Sequence, residues 1–217
     1  MSDDRGIKVI LLGEAGVGKT NLIHAALGGK FNPNSCTTIT NEFYDSVVSF
    51  NNKNYAYFIW DTAGQEAYRA INKIFIKDSK IIFLVFSIDS KKSFEEIDFW
   101  INYVNEILGK GDHIIILIGN KSDLFLNQEV EDEDIKKKAE ELKIRMKITS
   151  ALKDGEGFKN YLEELLKEYI LKHNTKEIEK PKETFTLDQE KIENNNDGAN
   201  KNKKTKKNVL VLNFNIL

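Results

Sequence analysis

Gly13-Glu14-Ala15-Gly16-Val17-Gly18-Lys19-Thr20 directly follows the apolar run Ile7-Lys8-Val9-Ile10-Leu11-Leu12. The order decides the reading: a strand of buried type, a glycine-rich loop, then Asn21 to Leu27, which can be helical. A loop of this spacing turns consecutive backbone N–H groups inward as an anion cradle, and the helix behind it adds the positive end of its dipole. Side chains at Gly16 or Gly18 would block the backbone's approach to a phosphate. Lys19 is placed to reach the β- and γ-phosphates. The Thr20 hydroxyl is placed to ligate Mg2+, a hard cation that prefers oxygen and retains several waters. A glycine-rich turn that holds nothing is the competing reading.

Working outward, apolar runs recur at Val9 to Leu12, Tyr57 to Trp60, Ile81 to Phe86, Ile114 to Ile118 and Met146 to Ile148, each read as a short buried strand. Between them, Ser93 to Leu108, Glu133 to Leu142 and Gly157 to Leu171 carry apolar residues at helical spacing, as Phe94, Ile97, Ile101, Val104 and Leu108 illustrate. Strand and helix alternate, which predicts an α/β fold: a mostly parallel sheet covered by helices on both faces. Glu42 to Phe50 and Tyr55 to Trp60 form the exception, a hairpin turned at Asn51-Asn52-Lys53-Asn54 that supplies one antiparallel edge strand.

The 217 residues suit one domain and an appendage, with boundaries expected at an N-terminal extension 1–5, a domain 6–172 and a tail 173–217. The net charge of -2 gives no reason to expect nucleic acid as a partner. A single cysteine, Cys36, excludes an intramolecular disulfide framework and suits a reducing compartment. The first residues lack the basic and apolar regions of a signal peptide, so a soluble cytoplasmic protein is expected. After His173 the chain turns to Lys, Glu and Asn, the composition of a disordered tail, and closes on the apolar Val209 to Leu217.

In an open parallel sheet, ligands sit beyond the carboxyl ends of the strands. Asp61-Thr62-Ala63-Gly64-Gln65 follows the second parallel run. Asp61 can hold Mg2+ through its water shell, Gly64 lets its N–H approach a γ-phosphate, and Gln65 can orient an attacking water. Gly119-Asn120-Lys121-Ser122-Asp123 follows the Ile114 run. Asp123 can accept both N1–H and the 2-amino group of guanine, a donor pair that adenine lacks. The stem of Lys121 can lie along the base plane. In Thr149-Ser150-Ala151, after the last strand, a backbone N–H is placed to meet guanine O6.

The stretches GEAGVGKT, Thr38, WDTAGQE, NKSD and TSA, in this order and at these separations, resemble the five nucleotide-binding motifs of Ras-superfamily small GTPases over about residues 6 to 172. The resemblance implies a P-loop small G domain of six strands, bound GTP or GDP with Mg2+, and hydrolysis of GTP to GDP and phosphate. Catalytic roles fall to Gln65 and Lys19. Nucleotide contacts fall to Gly13 through Asn21, Phe31, Thr38, Gly64, Asn120, Lys121, Asp123, Ser150, Ala151 and Leu152, and metal ligation to Thr20, Thr38 and Asp61. Thr38 lies 19 residues after Lys19, where the family places its γ-phosphate-sensing threonine. Phe31 lies seven before Thr38, where the family has an aromatic on the guanine edge; a loop aromatic packed on the core is the other reading.

WDTAGQE, the hairpin and VFSIDSKKSFEEIDFWI resemble Rab sequences in particular. The 30 residues from Asn120 to Ser150 leave no room for the extra helix of Rho proteins. A Rab usually has glycine where Thr40 stands, a tyrosine pair with Arg-Gly where Phe75-Ile76-Lys77-Asp78 stands, and lysine at Leu152. The resemblance implies a monomeric switch in vesicle transport that meets exchange factors, activating proteins and effectors through residues 32–42 and 63–77. The first of these segments has no arginine, which predicts slow intrinsic hydrolysis raised about 10³- to 10⁵-fold by an activating protein. A weakly cycling GTP-binding module and a Ras-like signalling GTPase are the alternatives. No cysteine follows Cys36, so the prenylated Rab ending is missing. Lys201, Lys203, Lys204, Lys206 and Lys207 with the apolar end offer at most weak association with the cytosolic face of a membrane.

Overall fold

In the computed structural model, the structure describes residues 6–29, 31–32, 42–62 and 72–173. Thr38, Gly64, Gln65 and the tail beyond His173 therefore lie outside the described residues, as does most of 32–42 and 63–71. The elements run β1 (Ile7–Leu12), α1 (Lys19–Ala26), β2 (Glu42–Phe50), β3 (Lys53–Asp61), α2 (Asn72–Ile76), β4 (Ile81–Ser87), α3 (Lys91–Glu95), α4 (Ile97–Leu108), β5 (Ile114–Asn120), α5 (Asp132–Leu142), β6 (Arg145–Ile148) and α6 (Gly155–His173). They form one six-stranded sheet in the order β2-β3-β1-β4-β5-β6. Among the described residues only β2 and β3 pair antiparallel; β1 pairs parallel with β3 and β4, and β5 with β4 and β6.

The two-residue period of a strand divides the core between the faces. Val9 and Leu11 of β1, with Ile81, Phe83 and Val85 of β4, pack against Leu22 and Ile23 of α1 and Phe158, Leu162 and Leu166 of α6. Ile10, Leu12, Ile82, Leu84 and Phe86 point the other way, onto Ile97, Trp100 and Val104 of α4 and Ile135 of α5. All seven residues of β4 are buried, which is why its sequence is continuously apolar rather than alternating.

Three local expectations change. The hairpin turn is tighter than the four residues read from sequence: Lys53 pairs with Phe50 and Asn54 with Ser49, leaving Asn51 and Asn52 alone at the bend. Their φ values of 50° and 61° are the left-handed pair of a type I′ turn, whose twist matches that of the strands. The helix expected over Ser93 to Leu108 begins earlier and is divided at Glu96. Ser90 caps its first turn, accepting from Ser93 N at 3.3 Å. Ser93 Oγ then returns a bond to the Ser90 carbonyl at 2.8 Å and accepts from Ser87 N at 3.0 Å, pinning that turn to the end of β4. Finally, Ser122–Asn127 form 3₁₀ turns after β5, kinked at Leu124, in a stretch read only as motif and loop.

Asn52→Val, which forces a β-branched residue into the left-handed region, is expected to lower the unfolding free energy by about 1–2 kcal/mol. Asn52→Gly should cost nothing. Urea denaturation of the two variants checks the turn, and equal loss in both would contradict it.

Candidate nucleotide site

The loop after β1 is shaped by what lies beneath it. Gly18 has φ 93° and ψ 25°, and a Cβ there would stand 2.4 Å from Asn120 Nδ2. Glycine is thus required at 18 by a protein neighbour and by the backbone, and not by phosphate approach alone. At Gly16 a Cβ would meet no protein atom within 4 Å, and its φ of 77° is the constraint. Ala15 and Gly16 are exposed at the loop's crest, whereas the Val17 side chain is buried in the core under α1 and α6.

Lys19 is 5 % exposed at the start of α1, and its ammonium donates to the carbonyls of Gly13 at 2.8 Å and Glu14 at 2.9 Å. Burial lowers its pKa to about 8 against the opposing pull of Asp61 and Glu14. Asp61, at the end of β3, is fully buried. Burial raises its pKa to about 6, partly offset by the Thr20 hydrogen bond and the Lys19 charge, while Glu42 pushes it up further. Thr20 Oγ1 donates to Asp61 Oδ2 at 2.6 Å, and Asp61 Oδ1 is a buried oxygen without a partner. A hydroxyl beside an under-satisfied carboxylate is a hard-oxygen donor set that fits Mg2+ carrying its own waters.

Asn120, the last residue of β5 and 1 % exposed, ties the site together. Its Nδ2 donates to the Val17 carbonyl at 2.8 Å, and its Oδ1 accepts from Ala151 N at 3.1 Å. Ser150 Oγ donates to Asp123 Oδ1 and accepts from Leu152 N at 3.2 Å and Lys153 N at 3.0 Å. The Asp123 carboxylate is thus fixed at the carboxyl edge of the sheet by the neighbouring loop. Lys121 takes φ 64° and ψ 36° at the head of the 3₁₀ turns, with its ammonium 3.6 Å from Asp89 Oδ1.

The structure therefore brings Gly13 to Thr20, Asp61, Asn120, Lys121, Asp123 and Ser150 to Leu152 to the loops at one end of the sheet. Two sequence candidates stand apart in their contacts. Asn21 is buried and its Oδ1 accepts from Asn32 N at 3.4 Å, tying α1 to the start of the following loop. Phe31 is half-buried against the core beside α1 and α6. Leu152 is 46 % exposed, and its N–H donates to Ser150 Oγ. Thr62 was overlooked: its hydroxyl donates to the Leu11 carbonyl at 2.7 Å, locking the ends of β1 and β3 side by side. Asp89 was overlooked too, although it follows a parallel strand as the other site residues do.

A parallel sheet with one antiparallel edge pair, a glycine-rich loop after β1 and an Asn-Lys-x-Asp loop after β5 defines the small G domain. The chain belongs to the Ras family, whose model matches residues 8–171. It is 34 % identical over 163 residues to Ras-related protein Rab-2B of Dictyostelium discoideum, covering 74 % of this chain and 80 % of that one. It is 35 % identical over 169 residues to Ras-related protein rab-11.1 of Caenorhabditis elegans, covering 76 % and 80 %. It is 33 % identical over 163 residues to human Ras-related protein Rab-21, covering 75 % and 72 %. The chain is a Rab-like small GTPase.

Asp61→Asn keeps an acceptor for Thr20 and removes a buried charge. Because the folded pKa lies above the unfolded one, ionised Asp61 costs stability as pH rises from about 4 to about 6, and the full cost persists above that. The variant, unfolded in the presence of a chelator, is expected to be about 1–3 kcal/mol more stable than wild type at neutral pH, a gain that vanishes near pH 4. Asn120→Ala is expected to cost about 2–4 kcal/mol by leaving the buried Val17 carbonyl and Ala151 N–H unpaired. Chemical denaturation measures both.

Proposed function

We propose that this chain is a guanine-nucleotide switch that binds GTP and GDP with Mg2+, hydrolyses GTP to GDP and phosphate, and regulates vesicle transport. The observation that carries the reading is the Asn120 bridge. It holds the phosphate-type loop through Val17 and the base-type loop through Ala151, so phosphate and base would be gripped by one braced unit. The G domain is taken as residues 6–172, between a short extension and the tail.

Lys19 would exchange its two carbonyl partners for β- and γ-phosphate oxygens, a change favoured because a buried ammonium gains more from an anion than from neutral dipoles. Thr20 and Asp61, with Thr38, would hold Mg2+, whose contribution is charge neutralisation on the phosphates. Asp123 would read N1–H and the 2-amino group of guanine, and Ser150 would keep it aimed. Gln65 would orient the water for in-line attack, with Gly64 offering its N–H to the γ-phosphate. Loss of that phosphate would release residues 32–42 and 63–77, the surfaces for exchange factors, activating proteins and effectors.

Relatives named as Rab proteins support the traffic role. Among the described residues no helix is long and apolar enough to cross a membrane. Association with the cytosolic face of a membrane would run through the lysine-rich tail. Single-turnover hydrolysis is the test. Gln65→Leu should slow GTP cleavage at least about 10-fold while leaving GTP affinity within about twofold of wild type. An unchanged rate would remove Gln65 from the chemistry, and no cleavage by wild type even with an activating protein would leave a binding module only.

A further inference from the structure

Asp89 sits two residues beyond β4, in Phe86-Ser87-Ile88-Asp89, and the strand delivers it to the same face as Lys121. Its Oδ1 lies 3.6 Å from Lys121 Nζ and accepts a hydrogen bond from Ser87 Oγ. The corner that carries it is braced on several sides. Ser87 lies in register with Asn120 on β5, and Ile88 N donates to the Asn120 carbonyl at 3.1 Å. The Ile88 carbonyl accepts from Glu129 N at 2.9 Å and Val130 N at 3.2 Å, and the Ile88 side chain is buried.

Lys121 is equally fixed at its root, where Ser122 N donates to the Thr149 carbonyl at 3.1 Å and Leu124 N to the Lys121 carbonyl at 2.8 Å. What remains free is the four-carbon stem. A lysine stem that samples all its rotamers covers an apolar plane only part of the time, whereas anchoring its tip selects the conformers that lie flat.

We propose that Asp89 is a positioning residue of the base site: its carboxylate, oriented by Ser87, holds the Lys121 ammonium so that the lysine stem stays along the bound base and nucleotide release is slowed. The proposal rests on residues 119–123 being the guanine-binding loop. Asp89 acts through Lys121 and needs no contact with the nucleotide. The two side chains are partly exposed, 33 % for Lys121 and 24 % for Asp89, so the effect is modest, on the order of 2- to 5-fold in release rate.

The experiment follows dissociation of a fluorescent GDP analogue from the full chain in Mg2+ for wild type, Asp89→Asn, Lys121→Met and the double variant. Asp89→Asn is expected to release the analogue about 2- to 5-fold faster at low salt, with the difference shrinking at about 0.5 M salt. With Lys121→Met already present, Asp89→Asn should change nothing; with Lys121 intact, Asp89→Glu, which keeps the carboxylate, should retain slow release. A purely structural role for Asp89 would move both backgrounds alike. Ser87→Ala, which keeps the carboxylate but frees it to rotate, should accelerate release in the same direction and serves as the second variant if Asp89→Asn fails to fold. Wild-type release rates in Asp89→Asn, or in the Ser87→Ala stand-in, overturn the proposal while guanine binding stands. So does an undiminished effect in the Lys121→Met background. Failure of wild type to bind the GDP analogue overturns the nucleotide reading and this proposal together.

Discussion

One buried amide organises this site. The Asn120 side chain has a donor and an acceptor that face opposite ways, and the fold puts a loop carbonyl, Val17, on one side and a loop N–H, Ala151, on the other. Both loops are irregular, and neither could keep its backbone groups dry without a partner. The bridge works because β5 ends at the sheet's carboxyl edge beside β6, where the Asn120 amide reaches both the glycine-rich loop and the loop after β6. Gly18 is part of the same arrangement, since a methyl there would strike the Asn120 amide.

Around that brace the fold tolerates unfavourable charge. Lys19 and Asp61 are both buried, and burial pushes each towards its neutral form. Their mutual attraction and the Thr20 hydroxyl compensate only in part, and Asp61 Oδ1 keeps an unmet capacity to accept. A site arranged for anion and cation together has this character: the groups are held where a charged ligand would relieve them, at a cost to the protein alone. The core on both faces of β1 and β4 supplies the stability against which that cost is set.

Much of this was legible in the sequence because it is local. The run Ile7 to Leu12 before a glycine loop, the continuous apolar stretch of β4 and the NKSD segment each declare themselves within a few residues. The sheet with its single antiparallel edge follows from alternation of strand and helix with one hairpin, and the observed order of six strands agrees. What escaped is relational. Nothing near Ser150 says that it clamps Asp123, and nothing near Asn21 says that its side chain turns to Asn32. The tightness of the hairpin at Asn51-Asn52 depends on register, which four consecutive polar residues leave open. Asp89 and Thr62 were missed because each matters through a partner more than 30 residues away in the chain.

The central claim is that this braced edge is a guanine-selective nucleotide site, and direct titration of the nucleotide-free protein tests it. In the presence of Mg2+, calorimetric titration with GDP should show tight one-to-one binding, and ADP should bind at least about 10³-fold more weakly, because a pocket built to pair a ligand's N–H groups rejects analogues that lack them. Comparable affinity for the two nucleotides, or binding of neither, would contradict the account.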